Sequence, residues 1–377
     1  MAVTVSPEVR DLLTLSLVSG IGPRLTAALL ERFGSVSAAL RASVAELSAV
    51  PYITPRLAES IARAPARADV AAELDRMERH GVRLIALGTP EYPPLLANIS
   101  DPPYLLYARG TLTAADANAV ALVGSRGCTD HGRRVASRLS AGLARAGVTV
   151  ISGLARGIDG TAHRAALEAG GRTLAVLAGG LSRIYPPEHT DLAREIEAAG
   201  AILTETRMEQ EPLPGLFPVR NRIISGLSKV VVLIEAAQKS GALITARHAA
   251  EQGRTVMAVP GPVDAPSSDG THELIRNGAV LCRGVEDVLE ELHGVSAMAT
   301  AAKKAASVPT APPTPSGPPP GLDDTQRRIW DMLTEACHLD QLVQRLGLAV
   351  PQVSGALMMM EMKKVVRRLP GNRYERC

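Results

Sequence analysis

Aromatic side chains are nearly absent from this sequence: two Phe, six Tyr and one Trp make up 2% of 377 residues. A surface that stacks many bases is thereby excluded, and any stacking platform rests on very few rings. The four cysteines, Cys128, Cys282, Cys337 and Cys377, include no Cys-x-x-Cys pair. This spacing disfavours a zinc knuckle and a disulfide framework and reads as free thiols. The histidines are dispersed with no His-x-x-x-His pair, so no metal site is expected. Neither sign of charge dominates: the net charge is +3, and any affinity for nucleic acid must come from local basic surface. No apolar run reaches bilayer length, and the first residues lack the regions of a signal peptide, so a cytoplasmic protein with no membrane partner is expected. Two nucleotide signatures are missing as well. There is no Gly-x-x-x-x-Gly-Lys-Ser/Thr, and residues 153–160 read GLARGIDG in place of Gly-x-Gly-x-x-Gly, so no cofactor is assigned.

Glycine-centred segments between residues 122 and 262 stand against these absences: LVGSRGCTDHG, VISGLARGIDGTAH, VLAGGLSRIYP, FPVRNRIISGLS and SGALIT, closing with AVPGP. A strand that stops at Gly, Ser and Arg and then opens a helix aims backbone N–H groups at whatever lies above the sheet edge. Repeated along one sheet, the pattern suggests a crevice that follows an extended polyanion.

Hydrophobic residues make up 46% of the chain, enough for a buried core in more than one domain. Residues 1–80 read as a small helical module, with helical apolar spacing in 8–64 and turns at Ser19-Gly20-Ile21-Gly22-Pro23 and Val50-Pro51-Tyr52-Ile53-Thr54. The first turn reads either as a tight connection between packed helices or as a helix-hairpin-helix element (a SAM-like module) that touches a phosphate. Residues 81–294 alternate short, wholly apolar runs with helical stretches. The runs are 82–87, 120–123, 148–151, 173–178, 230–234 and 256–259; the helical stretches include 131–146, 158–169, 188–199 and 241–252. Such alternation predicts an α/β, Rossmann-like domain with a mostly parallel sheet covered on both faces. In 295–320 there is no aromatic residue, and half of 307–320 is proline, which marks a linker. Residues 321–377 show three helical patterns and a Pro-Gly-Asn turn, the pattern of a winged helix. Lys363, Lys364, Arg367, Arg368 and Arg373 would form its basic face, facing either duplex DNA or a protein partner.

Arg126, in the corner Gly124-Ser125-Arg126, is placed to reach a phosphate held by backbone amides. Phe217 lies beside Arg220, Asn221 and Arg222 and reads as a stacking plate or a core anchor. Ser240-Gly241, before a helix containing Thr245, forms a further amide nest. Asp159 and His163, four residues apart on one helix, read as a structural contact and not as an acid/base pair. Glu205, Glu235 and Asp264 lie near strand ends in a spacing that matches no glycosidase or metal-dependent nuclease pattern, and no catalytic residue is assigned.

The ordered set GSRGCTDHG, SGLARGIDGTAHRAAL, GGLSRIYP, FPVRNRIISGLS, EAAQKSGALITARHAAEQGR and AVPG closely resembles the DprA/Smf family of DNA-processing proteins, over about 90 to 290. The resemblance implies a non-enzymatic, homodimeric protein that binds incoming single-stranded DNA and loads the recombinase RecA onto it during natural transformation. It implies Arg126 as a main phosphate contact, Phe217 as a base-stacking residue, and Arg220, Asn221 and Arg222 around the same pocket. Thr129, Gly132, Ser152, Gly153, Arg156, Gly157, Arg183 and Tyr185 complete the expected DNA-binding set. Ala250, His272, Ile275 and Leu281 match positions of the dimer contact. Where relatives carry a lysine after the Tyr-Pro pair, this chain has Pro187, and where they carry a basic residue before Phe-Pro it has Pro214 and Gly215. Arg183, Arg172 and Arg207 are the candidates to compensate, and His189 reads as a neutral surface histidine. A nucleotide phosphoribohydrolase and a dimeric adaptor that binds no DNA remain the alternative readings.

Overall fold

The computed structural model describes residues 5–294, 319, 322–333, 337–363, 365–369 and 373–376. The chain divides into two compact units, Met1–Ala301 and Ala302–Cys377. The expected linker, apart from Pro319, lies outside the described residues, as do Lys364, the Pro-Gly-Asn turn and the side chain of Arg368.

The first unit begins with six helices: α1 (Pro7–Ser16), α2 (Pro23–Phe33), α3 (Val36–Arg41), α4 (Val44–Ser48), α5 (Pro55–Arg67) and α6 (Val70–Arg79). Two hairpins repeat one geometry. Ile21 N–H donates to Val18 O and Ile53 N–H to Val50 O, both at 3.2 Å, and Pro23 and Pro55 open the following helices. Gly20 has φ +93°, which glycine adopts without strain, and Tyr52 occupies the matching place at φ 67°. Leu15, Leu29, Leu47, Ala58 and Ile61 bury the seam between the pair.

The α/β part holds nine strands: β1 (Arg83–Ala86), β2 (Leu105–Gly110), β3 (Ala119–Val123), β4 (Thr149–Ser152), β5 (Thr173–Val176), β6 (Ala201–Thr204), β7 (Val230–Leu233), β8 (Thr255–Ala258) and β9 (Val280–Leu281). Their order is β1-β2-β6-β5-β4-β3-β7-β8-β9. From β6 to β9 every pairing is parallel; β1 and β2 add an antiparallel edge. Strands β3 to β7 are buried at every residue, which is why their sequences are mainly apolar instead of alternating, broken only by the small hydroxyl residues Thr149, Ser152, Thr173 and Thr204. The helices that cover the sheet are α7 (Pro94–Ala97), α8 (Asp130–Arg145), α9 (Ile158–Glu168), α10 (Thr190–Ala199), α11 (Leu216–Gly226), α12 (Ala242–Glu251), α13 (Asp269–Arg276) and α14 over 285–294. Three of the strands, β2, β6 and the two-residue β9, were absent from the sequence expectation.

The second unit contains α15 (Asp324–Met332), α16 (Leu339–Leu346) and α17 (Val350–Met362), with a sheet ordered β10 (Cys337–His338), β12 (Arg373–Arg376), β11 (Val366–Leu369). It is the expected winged helix, closed over Ile329, Leu342, Val353, Leu357 and Met360.

Candidate nucleic-acid interface

Strands run outward from β3 to β6 on one side, then the chain returns to place β7 against the other side of β3. The loops after β3 and β7 therefore leave in opposite directions and open a crevice above the strand ends, where ligands of doubly wound folds bind. Val123 to Arg126, Ala155 and Asp159, then Phe217, Pro218, Arg220, Asn221 and Ile224 of α11, and Ser240 to Ala242 with Ile244 and Thr245 line it, enclosing about 380 Å³. Beside it a second hollow is walled by Arg126, Arg156, Gly179, Arg183, Tyr185, Pro212 and Phe217.

The corner after β3 departs from the expected nest of open amides. Glu235, buried at the end of β7, accepts from Thr129 N–H at 3.1 and 3.2 Å and from Thr129 Oγ1 at 2.7 Å. Thr129 Oγ1 in turn accepts from Gly132 N–H at 3.1 Å and caps α8. Ser125 N–H donates to Glu235 O at 2.8 Å. The N-terminus of α8 is thus already filled by a carboxylate of the protein itself. The corner after β4 follows the same rule: Asp159, buried, accepts from Gly153 N–H at 3.1 Å and Ala155 N–H at 3.3 Å. Burial raises the Asp159 carboxyl, and Arg220 and these amides oppose the rise. His163 does not pair with Asp159; its Nδ1 meets Thr173 Oγ1 at 2.7 Å, and burial lowers its pKa to about 3. Gly157, at φ +73°, lets the two corners meet, since a Cβ there would lie 2.3 Å from Ser125 O.

What the crevice offers a ligand is therefore mostly side chains. Arg126 is exposed, and its guanidinium carbon stands 4.4 Å from the centroid of the half-buried Phe217 ring. Tyr185 approaches the same ring edge-on at 6.1 Å and is 40% exposed. Arg220 lies beneath, 5.9 Å from that centroid, its Nη1 donating to Gly153 O at 2.8 Å and also to Val176 O. Burial lowers the Arg220 pKa to about 10, leaving it charged at neutral pH. Asn221 Nδ2 donates to Gly241 O at 3.4 Å and ties α11 to the start of α12. Neither Gly215 nor Gly241 caps its helix with a side chain; Ser240 Oγ accepts from Ala242 N–H at 3.3 Å.

The structure gathers Gly124, Ser125, Arg126, Gly153, Arg156, Arg183, Tyr185, Phe217, Arg220, Asn221, Ser240, Gly241 and Thr245 around these two hollows. Thr129, Gly132, Ser152 and Gly157 do not line either hollow: Thr129 is exposed at the start of α8, while Gly132 and Ser152 are buried, Ser152 Oγ donating to Leu122 O at 2.7 Å. Arg222 sits elsewhere. It is buried, donating Nε to Asp101 Oδ2 at 3.2 Å and Nη2 to Glu205 Oε2 at 2.6 Å, because α11 turns it away from Phe217. Arg172 is also spent, bonded to Asp116, Ala199 O and Thr111 O at the opposite end of the strands. His189 is not a surface residue: it is buried against Gly160, with Nδ1 2.9 Å from Leu154 O. Pro212, which walls the second hollow, follows the unexpected strand β6, and no sequence signal marked it.

Of the dimer set, Leu281 on the edge strand β9 is 42% exposed and Ala250 is exposed, whereas His272 Nε2 lies 3.0 Å from Gly261 O. In the winged helix, Lys363 donates to Gln326 Oε1 at 3.0 Å, Arg367 pairs with Glu375, and Arg373 lies on β12. Helix α17, in the position that reads DNA in such folds, exposes Val350, Met358, Met359 and Met362, and Glu361 is its one charged residue. No helix among the described residues is long and apolar enough to cross a membrane.

Residues 83–293 match the family of DNA recombination-mediator protein A, 311–372 match the DprA winged helix domain, and 9–64 match a SAM-like helix-hairpin-helix tandem. The chain is 34% identical to Protein Smf of Synechocystis over 97% of its length and 98% of that protein. It is 39% identical to Protein Smf of Escherichia coli over 81% of its length and 80% of that protein. Among solved structures, DNA processing protein A of Streptococcus pneumoniae superposes with a TM-score of 0.66 at 33% identity, covering 77% of this chain and 99% of that one. DNA processing protein A of Helicobacter pylori, described for its single-stranded DNA binding mode, has a TM-score of 0.50 at 28% identity, covering 58% of this chain and 97% of that one.

Proposed function

Because the chain belongs to the DNA recombination-mediator protein A family, DprA/Smf, we propose that it is a mediator that binds single-stranded DNA in the crevice at the β3/β7 switch point. The observation that carries this reading is the exposed Arg126 guanidinium stacked over Phe217, with Tyr185 at the ring edge. A single strand presents a phosphate and an aromatic face in every nucleotide, and this pair offers a cation and a ring within one nucleotide's reach. The relative from Helicobacter pylori, described as binding single-stranded DNA, supports the same ligand. Binding is favoured over catalysis because Asp159 and Glu235 are held by backbone amides or a hydroxyl, and Glu205 by Arg222.

On this reading the held strand is handed to a RecA recombinase during natural transformation or repair, and two copies join through the edge formed by β9 and α13. Exposed Val280 and Leu281 on that edge support the second statement. Sedimentation velocity showing only monomer at micromolar protein would remove the homodimer, and unchanged RecA filament assembly on protein-coated strand would remove the handover.

The test of the crevice is anisotropy binding of the full chain to single-stranded and duplex oligonucleotides over a salt series. Phe217→Ala should weaken single-strand binding by about tenfold, within the range for one lost base stack. Arg126→Glu should weaken it further and flatten the salt dependence by at least about 0.7 in slope for the lost phosphate contact. Wild-type affinity in both variants would move the site away from the crevice.

A further inference from the structure

Arg183 borders two hollows: the one that holds Phe217, and a groove between α6, β2 and α10 that is also lined by Arg79, His80, Arg109 and Arg194. The groove encloses about 600 Å³, more space than the switch-point crevice. Its lining carries four arginines, Arg79, Arg109, Arg183 and Arg194, against Glu197 alone. In a chain whose net charge is +3, this is a concentrated positive surface.

We infer that this groove is a second segment of the strand path, in which the phosphates of a single strand leaving the crevice past Arg183 are held by Arg79 and Arg194. The inference rests on the reading of the crevice as a single-strand site. Each cation comes from a different element, so the groove is formed by the fold and not by one basic helix. Arg79 lies at the end of the N-terminal helical module, which gives that module a share in holding the strand.

The acids nearby weaken the groove without closing it. Arg79 pairs with Asp75 at 3.0 Å and Arg194 with Asp191 at 2.8 Å, both within one helical turn and with every partner more than half exposed. Such surface pairs contribute little and give way readily to a phosphate. Arg109 is different: it is mostly buried and held to Glu197 at 2.8 Å, which assigns it to the wall. Arg183 forms no ion pair among the described residues and stands exposed at the junction. Arg183 thus supplies a cation at the point where the two hollows meet.

The experiment compares oligothymidylates of about 6 and about 16 nucleotides, spanning the usual size of one single-strand site, with the full chain and its Arg79→Gln/Arg194→Gln double variant. Both arginines are exposed, and a far-UV melt unchanged from wild type confirms the fold. Wild type should bind the longer strand more tightly and with a steeper salt dependence. The double variant should bind the short strand as wild type does, lose roughly tenfold in affinity for the long one, and flatten its slope by about 1.4, or 0.7 per lost phosphate contact. Long-strand affinity and slope equal to wild type would overturn the inference while leaving the crevice intact. Equal weakening of both lengths would also overturn it, since the arginines would then act through general charge. Failure of wild type to bind even the short strand would bring down the crevice reading, and the groove with it.

Discussion

Replacing Arg222 with Met separates a residue that touches DNA from one that holds the fold. Its guanidinium is buried between Asp101 and Glu205, at 3.2 and 2.6 Å, and the side chains of these acids are only 23% and 15% exposed. Methionine fills the space but leaves both carboxylates without their cation. Breaking a buried pair in this way costs about 3–5 kcal/mol, and partial exposure of the acids favours the low end. A unit of this size loses about 2–4 °C of Tm per kcal/mol, so a fall of roughly 10 °C is expected. The penalty also acquires a pH dependence. Burial already raises the Glu205 carboxyl above its ordinary range, and Arg222 is the main influence opposing that rise. Without Arg222 the folded state binds a proton more tightly than the unfolded chain, so stability is retained at low pH and lost as pH rises through the raised pKa. The variant should lie closer to wild type near pH 5 than near pH 7.5. Urea melts followed by far-UV circular dichroism measure this; the one tryptophan, Trp330, lies in the other unit and is blind to it. Single-strand affinity, measured well below the melting point, should stay within about twofold, or 0.4 kcal/mol. A loss of affinity as deep as that of Arg126→Glu would return Arg222 to the binding surface. A stability change below about 0.5 kcal/mol would refute the buried triad.

Two further outcomes follow from groups behind the crevice. His163 is neutral when folded, its pKa lowered by burial to about 3 from the ordinary 6.5, so its contribution is complete above pH 6.5 and declines as pH falls. Between pH 6.5 and 5 the loss should reach about 2 kcal/mol, and His163→Gln should flatten that limb of the urea midpoint plotted against pH. Gly157→Ala forces φ +73° on a side-chain-bearing residue and drives Cβ to 2.3 Å from Ser125 O. Destabilisation of about 1–3 kcal/mol is expected, with weaker strand binding as the Arg126 corner shifts; a variant with wild-type melting and binding would show that the two corners do not need this approach.

The sequence made the parallel core legible where strands are apolar from end to end, as in AVALV and VVVL, and where glycine breaks the chain after them. Strand AILT escaped because only Gly200 separates it from the apolar end of α10, and a four-residue apolar run has no period of its own. Strand LLYARG escaped because it is antiparallel and carries Arg109. Arg126 and Phe217 were legible as local corners, but their stacking joins positions from two distant loops. The fate of Arg222 was hidden for a similar reason: its partner Asp101 is 121 residues away, and a motif of adjacent cations does not show which way each one faces. His189 was misread because the space it fills is made by Gly160, a glycine whose importance lies in what packs against it.

Glu235 and Asp159 have a consequence for selectivity. In a fold of this kind the first two corners are the natural docking places of a nucleotide's phosphates, and here each is occupied in advance by a carboxylate that cannot leave. A free mononucleotide arriving there meets carboxyl groups and the amides that they already engage. It retains one ring and one arginine, too little to compete at cellular concentrations with a polymer that repeats those contacts along its length. If the crevice binds single-stranded DNA as proposed, filling its own phosphate corners would cost it tight recognition of a single nucleotide and favour a longer chain.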